Sequence, residues 1–151
     1  MKTLLKYNLI IGLVLLSISV FAGDQQEKKK IVEKNYKVNA TTKLRLENKF
    51  GKIKINSWEK NEFDIKVEVI GRGRSEERSQ RILDAIDIDI TEGSTEIVFE
   101  TEFSNNKSKN GEGFEVNYTV YMPETNPLEI KNSFGDVTMG NRDNDLHVNV
   151  A

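Results

Sequence analysis

The sequence contains no cysteine in its 151 residues, and it has a single histidine, His147. Without cysteine the chain has no disulfide, no thiol nucleophile and no thiolate ligand for zinc. A serine–histidine–acid triad would require His147 in a preorganised site, whereas a lone histidine in a strand is typical of a surface position. We therefore predict no catalytic residue, no bound cofactor and no classical zinc site.

Neither sign of charge is in large excess. Charged residues make up 30% of the chain, and its formal net charge is −2. Two of the 22 basic residues lie within the first 22 positions and all 24 acidic residues follow them, so the remainder carries −4. A nucleic-acid-binding protein would show a basic excess. No nucleic-acid partner is predicted.

One long apolar run is present, from Leu9 to Ala22, and two lysines precede it. The run is shorter than the roughly 20 residues that span a bilayer. Val20 and Ala22 give the small-x-small pattern that signal peptidase requires before a cut at Gly23. We predict that 1–22 is a removable signal peptide, that no membrane span remains after cleavage, and that the chain is exported to the periplasm, the cell surface or the medium.

A polar segment at 23–34 follows and predicts a flexible spacer in front of a single domain at 35–151. From Tyr36 onward apolar and polar residues alternate, which is typical of strands with one buried and one solvated face. The alternation predicts strands near 44–47, 53–56, 63–69, 86–91, 95–103 and 114–122. The last two are predicted to form an antiparallel hairpin with a long loop, because Asn110-Gly111 between them suits a turn.

One segment follows the helical period instead. Ile82, Leu83 and Ile86 form a narrow apolar stripe, and Ser75 is suited to an N-cap. These features predict one helix at about 75–86, packed on a sheet.

The strongest pattern is an internal repeat. The segment that begins at Leu44 recurs 84 positions later at Leu128, and both copies read as strand, Asn-x-Phe-Gly corner, strand. The predicted structural corner residues are Asn48, Phe50, Gly51, Asn132, Phe134 and Gly135. Glycine permits the dihedral angles of a sharp bend, and asparagine bonds to nearby backbone at turns. After a one-residue gap, 144–150 also matches 61–67.

These residues resemble the exported bacterial "putative adhesin" domain of unknown function, a family of β-strand repeats. The resemblance rests on the signal peptide, both corner motifs, the strand at 58–65 and the segment at 82–88, in that order along the chain. It implies a mainly β fold with one helix, in which an antiparallel sheet forms an N-terminal cap at 35–127. The cap would lead into the first rungs of a single-stranded β-solenoid at 128–151.

Members of that family continue into further rungs, so the resemblance implies a truncated member or a fragment. A solenoid that stops here would leave an open sheet edge, which is a template for pairing with another chain. We therefore expect possible self-association through the open C-terminal strand edge. The family has no established catalytic residues, and none are carried over.

Three acidic residues, Asp84, Asp87 and Asp89, are the candidates for a carboxylate-based carbohydrate-active enzyme, which needs two carboxyl groups held across a cleft. Asp87 and Asp89 fall on one outward strand face, where charges also serve to block edge pairing. The segment around Asp143 and Asp145 has the oxygen-rich composition of a calcium loop but lacks its glycine and late glutamate. These two aspartates remain weak metal candidates. Trp58 is expected to pack near the first corner, and stacking on a sugar is the alternative role for it.

The leading hypothesis is a non-enzymatic, exported cell-envelope or secreted interaction protein of the adhesin type, with an unknown protein or glycan partner. The alternatives are the carbohydrate-active enzyme and a structural spacer domain within a longer envelope protein.

Overall fold

A computed structural model describes residues 25–104 and 112–150. The predicted signal peptide, its cleavage residues Ala22 and Gly23, and the Asn110-Gly111 turn lie outside this part of the chain. Its elements, in order, are β1 (Gln26–Lys37), β2 (Lys43–Phe50), β3 (Ile53–Ser57), β4 (Glu62–Gly73), α1 (Glu76–Asp84), β5 (Ile86–Glu92), β6 (Glu96–Phe103), β7 (Gly113–Met122), β8 (Leu128–Phe134), β9 (Val137–Met139) and β10 (Leu146–Val150). The predicted mainly β class with one helix is confirmed.

The strands form two five-stranded sheets. Sheet A has the order β1-β4-β7-β3-β9, and sheet B has the order β10-β8-β2-β6-β5. Both sheets are mixed. The β1–β4, β4–β7 and β5–β6 pairs are antiparallel, whereas every pair that involves β2, β3, β8, β9 or β10 is parallel. The antiparallel part of each sheet therefore lies at one end and the parallel part at the other.

The apolar residues of the alternating strands form a core cluster. Leu44 and Leu46 of sheet B are fully buried, and so are Val67 and Val120 of sheet A. Burial of a side chain of this size contributes about 1.5–3 kcal/mol. Period-two patterning thus accounts for the inward face of each strand.

Helix α1 begins where the sequence predicted. The Ser75 hydroxyl accepts a hydrogen bond from the Arg78 amide, Glu76 lies in the first turn, and Leu83 is buried. The helix packs on β1 and β4. It ends at Asp84, with Ala85 as its C-cap, because the alternation that begins at Ile86 starts β5.

The predicted flexible spacer at 23–34 is wrong for residues 26–34. They belong to β1, which pairs with β4 from Gln26↔Gly73 to Lys37↔Glu62. Seven of the twelve residues of this edge strand carry charge, and its lysines bind carboxylates on other elements, including Lys34 with Glu92 of β5 in sheet B at 3.3 Å. The polar composition of this segment did not indicate a strand, because the segment has few apolar residues to bury.

Two long-range predictions are also wrong. Strands β6 and β7 do not pair as a hairpin, because β6 lies in sheet B and β7 in sheet A. The proposed match of 144–150 with 61–67 is not structural: β10 pairs in parallel with β8, whereas 62–73 forms β4 and pairs antiparallel with β1 and β7. Alternating residues look alike in any strand, so alternation does not identify the pairing partner.

Candidate functional site

The two Asn-x-Phe-Gly corners lie directly on one another. Strand β2 pairs in parallel with β8, so that Asn48 is opposite Asn132 and Phe50 is opposite Phe134. Strand β3 pairs in parallel with β9 from Ile53↔Val137. Copies that lie 84 residues apart in sequence are thus adjacent layers of one stack, in register on both sides of the corner.

The side-chain amide of each corner asparagine donates a hydrogen bond to the backbone of an adjacent layer. The Asn48 side-chain amide donates to the Val116 carbonyl at 2.9 Å, and the Asn132 amide donates to the Gly51 carbonyl at 3.0 Å. Both asparagines are almost fully buried, and the Oδ1 atom of each has no hydrogen-bond partner among the described residues. The amide group is therefore used for its donor alone.

The corner glycines are required by both conformation and space. Gly51 and Gly135 each have φ of 129°, a value that a residue with a Cβ rarely adopts. A Cβ on Gly51 would overlap the carbonyl oxygen of Val116, and a Cβ on Gly135 would overlap that of Gly51. Gly135 therefore packs on the backbone of the first corner in the same way as Gly51 packs on the backbone of β7.

Aromatic rings form a column beside the corners. The Phe50 and Phe134 rings are stacked, with centroids 5.0 Å apart and an interplanar angle of 10°. Phe50 also meets Phe114 edge-on at 5.0 Å, and Phe103 lies 4.9 Å from Phe114. Phe134 ends the column, and 59% of it is exposed. The two corner phenylalanines were recognisable from the repeat motif, whereas Phe103 and Phe114 have no repeat motif around them.

One end of the molecule carries both of the parallel edge strands. Among the described strands, β9 is last in sheet A and β10 is last in sheet B. Strand β10 places Leu146, Val148 and Val150 in register with β8, yet all three side chains are exposed. Exposed apolar residues on an edge strand provide a surface to which a further strand can add.

The outward face of sheet B carries a network of opposite charges. Lys43 lies 2.5 Å from Glu129, and Lys131 lies 3.1 Å from Glu47. The hydrogen bond from Lys43 holds the pKa of the Glu129 carboxyl below its usual range. These pairs tie β2 to β8, so they reinforce the stack of layers. His147 lies opposite Glu129, on the neighbouring strand β10.

The outward face of sheet A contains an open groove of about 550 Å³. It lies across β1, β4 and β7, and its lining residues are Glu33, Asp64, Lys66, Glu68, Asn117, Thr119 and Tyr121. Lys66 forms an ion pair with Glu33 at 3.7 Å. The groove was not predicted from the sequence, although the outward tyrosine in the alternation of β7 was a signal for it.

One of the lining residues of the groove, Tyr121, belongs to an aromatic pair. The ring of Tyr121 lies 5.5 Å from that of Trp58, and the Lys60 ammonium lies 4.8 Å from the centre of the indole. The Trp58 indole N–H donates to the Glu62 carbonyl at 2.8 Å. Trp58 is thus held by its indole hydrogen bond in contact with a tyrosine that is 41% exposed.

The acidic candidates for catalysis are placed on two elements. Asp84 ends helix α1 and accepts a hydrogen bond from Gln80 at 2.9 Å. Asp87 and Asp89 lie on the exposed face of β5, opposite Glu102 and Glu100. Asp87 forms an ion pair with Lys30 at 3.4 Å, which joins β5 to β1. The structure therefore places these carboxylates on an outward surface.

The proposed metal candidates Asp143 and Asp145 lie in the turn between β9 and β10. The Asp143 amide donates to Glu124, and the Asp145 carbonyl accepts from Leu128. Arg142 directly precedes Asp143; its guanidinium donates to the Pro123 carbonyl at 3.0 Å, and burial lowers the pKa of this group. Within 25–104 and 112–150, no three Asp, Glu or His side chains are grouped as metal ligands. In this turn the two aspartates contribute backbone hydrogen bonds.

Comparison with known proteins gives structural similarities only. No protein-family model matches the chain, and no curated protein matches it. A "putative cell adhesion protein" from Clostridium sporogenes ATCC 15579 aligns at 23% identity and a TM-score of 0.45, over 84% of this chain and 57% of that one. A "putative adhesin" (BF0245) from Bacteroides fragilis NCTC 9343 aligns at 17% identity and a TM-score of 0.39, over 80% and 52%.

The chain thus spans little more than half the length of either structure. TM-scores this low do not establish a shared fold, so the names of these two proteins are not transferred to this chain. In the part of the chain that the structure describes, no helix is long and apolar enough to cross a membrane.

Proposed function

We propose that this chain is a non-enzymatic, exported interaction protein of the adhesin type, which acts in the cell envelope or after secretion. The observation that carries the proposal is the in-register parallel stacking of its two corner copies. Parallel layers of this kind suit a structural and binding role, because their side chains are used to hold one layer on the next. The resemblance of the sequence motifs to the adhesin family supports the same class.

We further propose that the stack is the beginning of a single-stranded β-solenoid, with 26–127, which includes all of β1, as its cap and 128–151 as its first rungs. The hydrogen bonds between layers support this idea. The Gly51 amide donates to the Phe134 carbonyl at 3.0 Å, and the Ile53 amide donates to the Asp136 carbonyl at 2.9 Å. Gly135 and Val137 hold the corresponding positions one layer further on.

Strand addition at β9 and β10 is the proposed mode of interaction. Main-chain hydrogen bonds supply affinity in this mode, and pockets for alternate side chains supply specificity. Leu146, Val148 and Val150 provide the apolar face against which an added strand would pack. A second copy of this chain is the occupant we propose, since its own β10 carries the same apolar alternation.

The test uses the full chain, produced with its leader and recovered after export. Mass spectrometry of the N-terminus is expected to find Gly23 as the first residue. Light scattering over a wide concentration range is expected to show association of the wild type. Val148→Lys should abolish association, because it places a charge in the added-strand interface, whereas Asn149→Lys on the opposite face of β10 should retain it. A wild type that stays monomeric throughout, or two variants that behave alike, would refute strand addition.

A further inference from the structure

We infer that the groove on the outward face of sheet A binds an uncharged glycan chain, with Tyr121 as the ring on which a sugar packs. This inference goes beyond the proposed strand addition, because it concerns the face of the other sheet rather than its edge. It rests on the shape of the groove, on polar side chains without partners, on a fixed aromatic ring and on the balance of charge.

The groove engages a ligand through side chains alone. Strand β4 is paired with β1 on one side and with β7 on the other, so its backbone groups are used within the sheet. An extended peptide that binds by backbone pairing would go to an edge strand instead. The open groove of about 550 Å³ has the size of a small-ligand site.

Three adjacent polar groups in the groove are available for hydrogen bonds. Asp64 is directly opposite Tyr121 across the β4–β7 pair, and Thr119 is opposite Lys66. The side chains of Asp64, Thr119 and Tyr121 make no hydrogen bond or ion pair with any other residue at 25–104 or 112–150. A carboxylate and two hydroxyl groups together accept and donate hydrogen bonds, which matches the many hydroxyl groups of a sugar.

The aromatic ring supplies the apolar contact that a sugar requires. Pyranose rings have faces of C–H groups, and an aromatic side chain combines a flat apolar surface with a polar tip. Tyr121 packs on Trp58, which is itself held by the hydrogen bond from its indole N–H to Glu62. The ring is therefore supported before a ligand arrives, which reduces the entropy lost on binding.

The charge of the groove determines which class of glycan it favours. Three carboxylates, Glu33, Asp64 and Glu68, line the groove together with one ammonium group, that of Lys66. Lys66 is paired with Glu33, and Lys29 is paired with Glu68, whereas the Asp64 carboxylate has no ion pair within the part of the chain that the structure describes. The net negative charge disfavours uronic-acid polymers and nucleic acids. An uncharged chain avoids this repulsion and retains the hydrogen bonds.

The experiment measures binding of cellohexaose and of an N-acetylglucosamine hexamer to the full exported chain by NMR titration, with oligogalacturonate as the anionic probe. Because the groove is open, the expected Kd for a neutral oligosaccharide is on the order of 1 mM. Tyr121→Ala should weaken binding roughly tenfold through loss of the ring contact. Tyr121→Trp should restore most of the affinity, which a merely structural role of the tyrosine would not explain.

Phe134→Ala is the matched control, because it removes an exposed aromatic ring at the far end of the corner stack. It should bind the neutral probe as the wild type does, and so should Val148→Lys, which tests strand addition independently. The inference is overturned if neither neutral oligosaccharide binds the wild type, if a folded Tyr121→Ala variant binds equally well, or if the anionic probe binds more tightly than the neutral ones.

Discussion

The side-chain amide of Asn132 lies 3.0 Å from the carbonyl oxygen of Gly51, and this contact repeats, one layer along, the bond from Asn48 to Val116. The second corner is thus hydrogen-bonded to the first, which has the same sequence motif. A buried carbonyl that loses its donor costs about 1–3 kcal/mol, so the asparagine has a defined energetic role. Its unpartnered Oδ1 atom offsets part of that gain, because this acceptor is also buried.

Replacement of the corner donor tests this role. Asn48→Ala should lower the free energy of unfolding by about 1–2 kcal/mol, since the Val116 carbonyl loses its partner while the unpaired Oδ1 is removed with the side chain. Asn48→Asp should destabilise more strongly, because it buries a charge next to a carbonyl oxygen. Urea unfolding measures both. Asn149→Ala, on the exposed strand β10, is the control and should leave the midpoint unchanged; equal effects at Asn48 and Asn149 would contradict the role assigned to the corner.

The corner glycines give a second prediction. Gly51→Ala should destabilise the protein by more than about 2 kcal/mol, because the new Cβ meets the Val116 backbone and φ of 129° is strained for alanine. Gly140→Ala is the matched control, since a Cβ there has no neighbour within 4 Å. Thermal unfolding of both variants separates the two cases. A Gly51→Ala variant as stable as Gly140→Ala would show that the corner can relax.

Stability at high pH depends on Tyr118, whose hydroxyl lies 2.8 Å from that of Thr101. Burial raises the pKa of Tyr118 to about 12, whereas an unfolded tyrosine has a pKa of about 10. The unfolded chain therefore loses its proton first, and stability present below pH 10 is lost as the pH rises toward 12. The expected slope is about 1.4 kcal/mol per pH unit.

The Tyr118→Phe variant should flatten this alkaline limb and should cost about 1–2 kcal/mol at neutral pH, because Thr101 loses its partner. Tyr121→Phe is the control, since its hydroxyl lies on the outward groove. Urea midpoints between pH 8 and pH 12 measure both variants. An alkaline limb that is unchanged in Tyr118→Phe would assign the effect to another group, such as Tyr36, whose pKa is also raised by burial and by Glu92.

Stability at low pH depends on the ion pairs between layers. The Lys43 hydrogen bond lowers the pKa of Glu129, so the carboxylate contributes stability above the pKa of the unfolded chain, about 4.3. That contribution is lost as the pH falls through the lower, folded-state pKa. Glu129→Gln should therefore reduce the slope of stability against pH below about 4.3. Glu59→Gln, at an exposed position without an ion pair among the described residues, should keep the wild-type slope.

Local structure was predictable from the sequence, whereas the division of the strands between the two sheets was not. The alternation at Leu44 and Leu46 predicted buried inward residues, and the Ser75 cap marked the start of the helix. Both features depend on near neighbours. The pairing of β6 with β2 rather than with β7 depends on which sheet each strand joins, and period-two patterns are the same in either sheet.

The candidate sites show the same division. Gly51 and Gly135 were recognisable because a local motif carries them, and the structure gives both the same φ. Val116 carries no motif, although it accepts the Asn48 hydrogen bond. The groove was missed for a related reason: Asp64 and Tyr121 are 57 positions apart, and only the β4–β7 register brings them together.

The fixed contact of Gly135 on Gly51 has a consequence for changes in chain length. A single residue inserted within a corner would displace the amide, the ring and the glycine at once, so no partial shift preserves the stack. The turns at the other end of the strands are also tied to one another, because the buried Asn126 amide donates to the Asn39 and Thr42 carbonyls and the Asp143 amide donates to Glu124. Both ends of the strands therefore set a fixed step length, and the fold can grow or shrink only by whole layers.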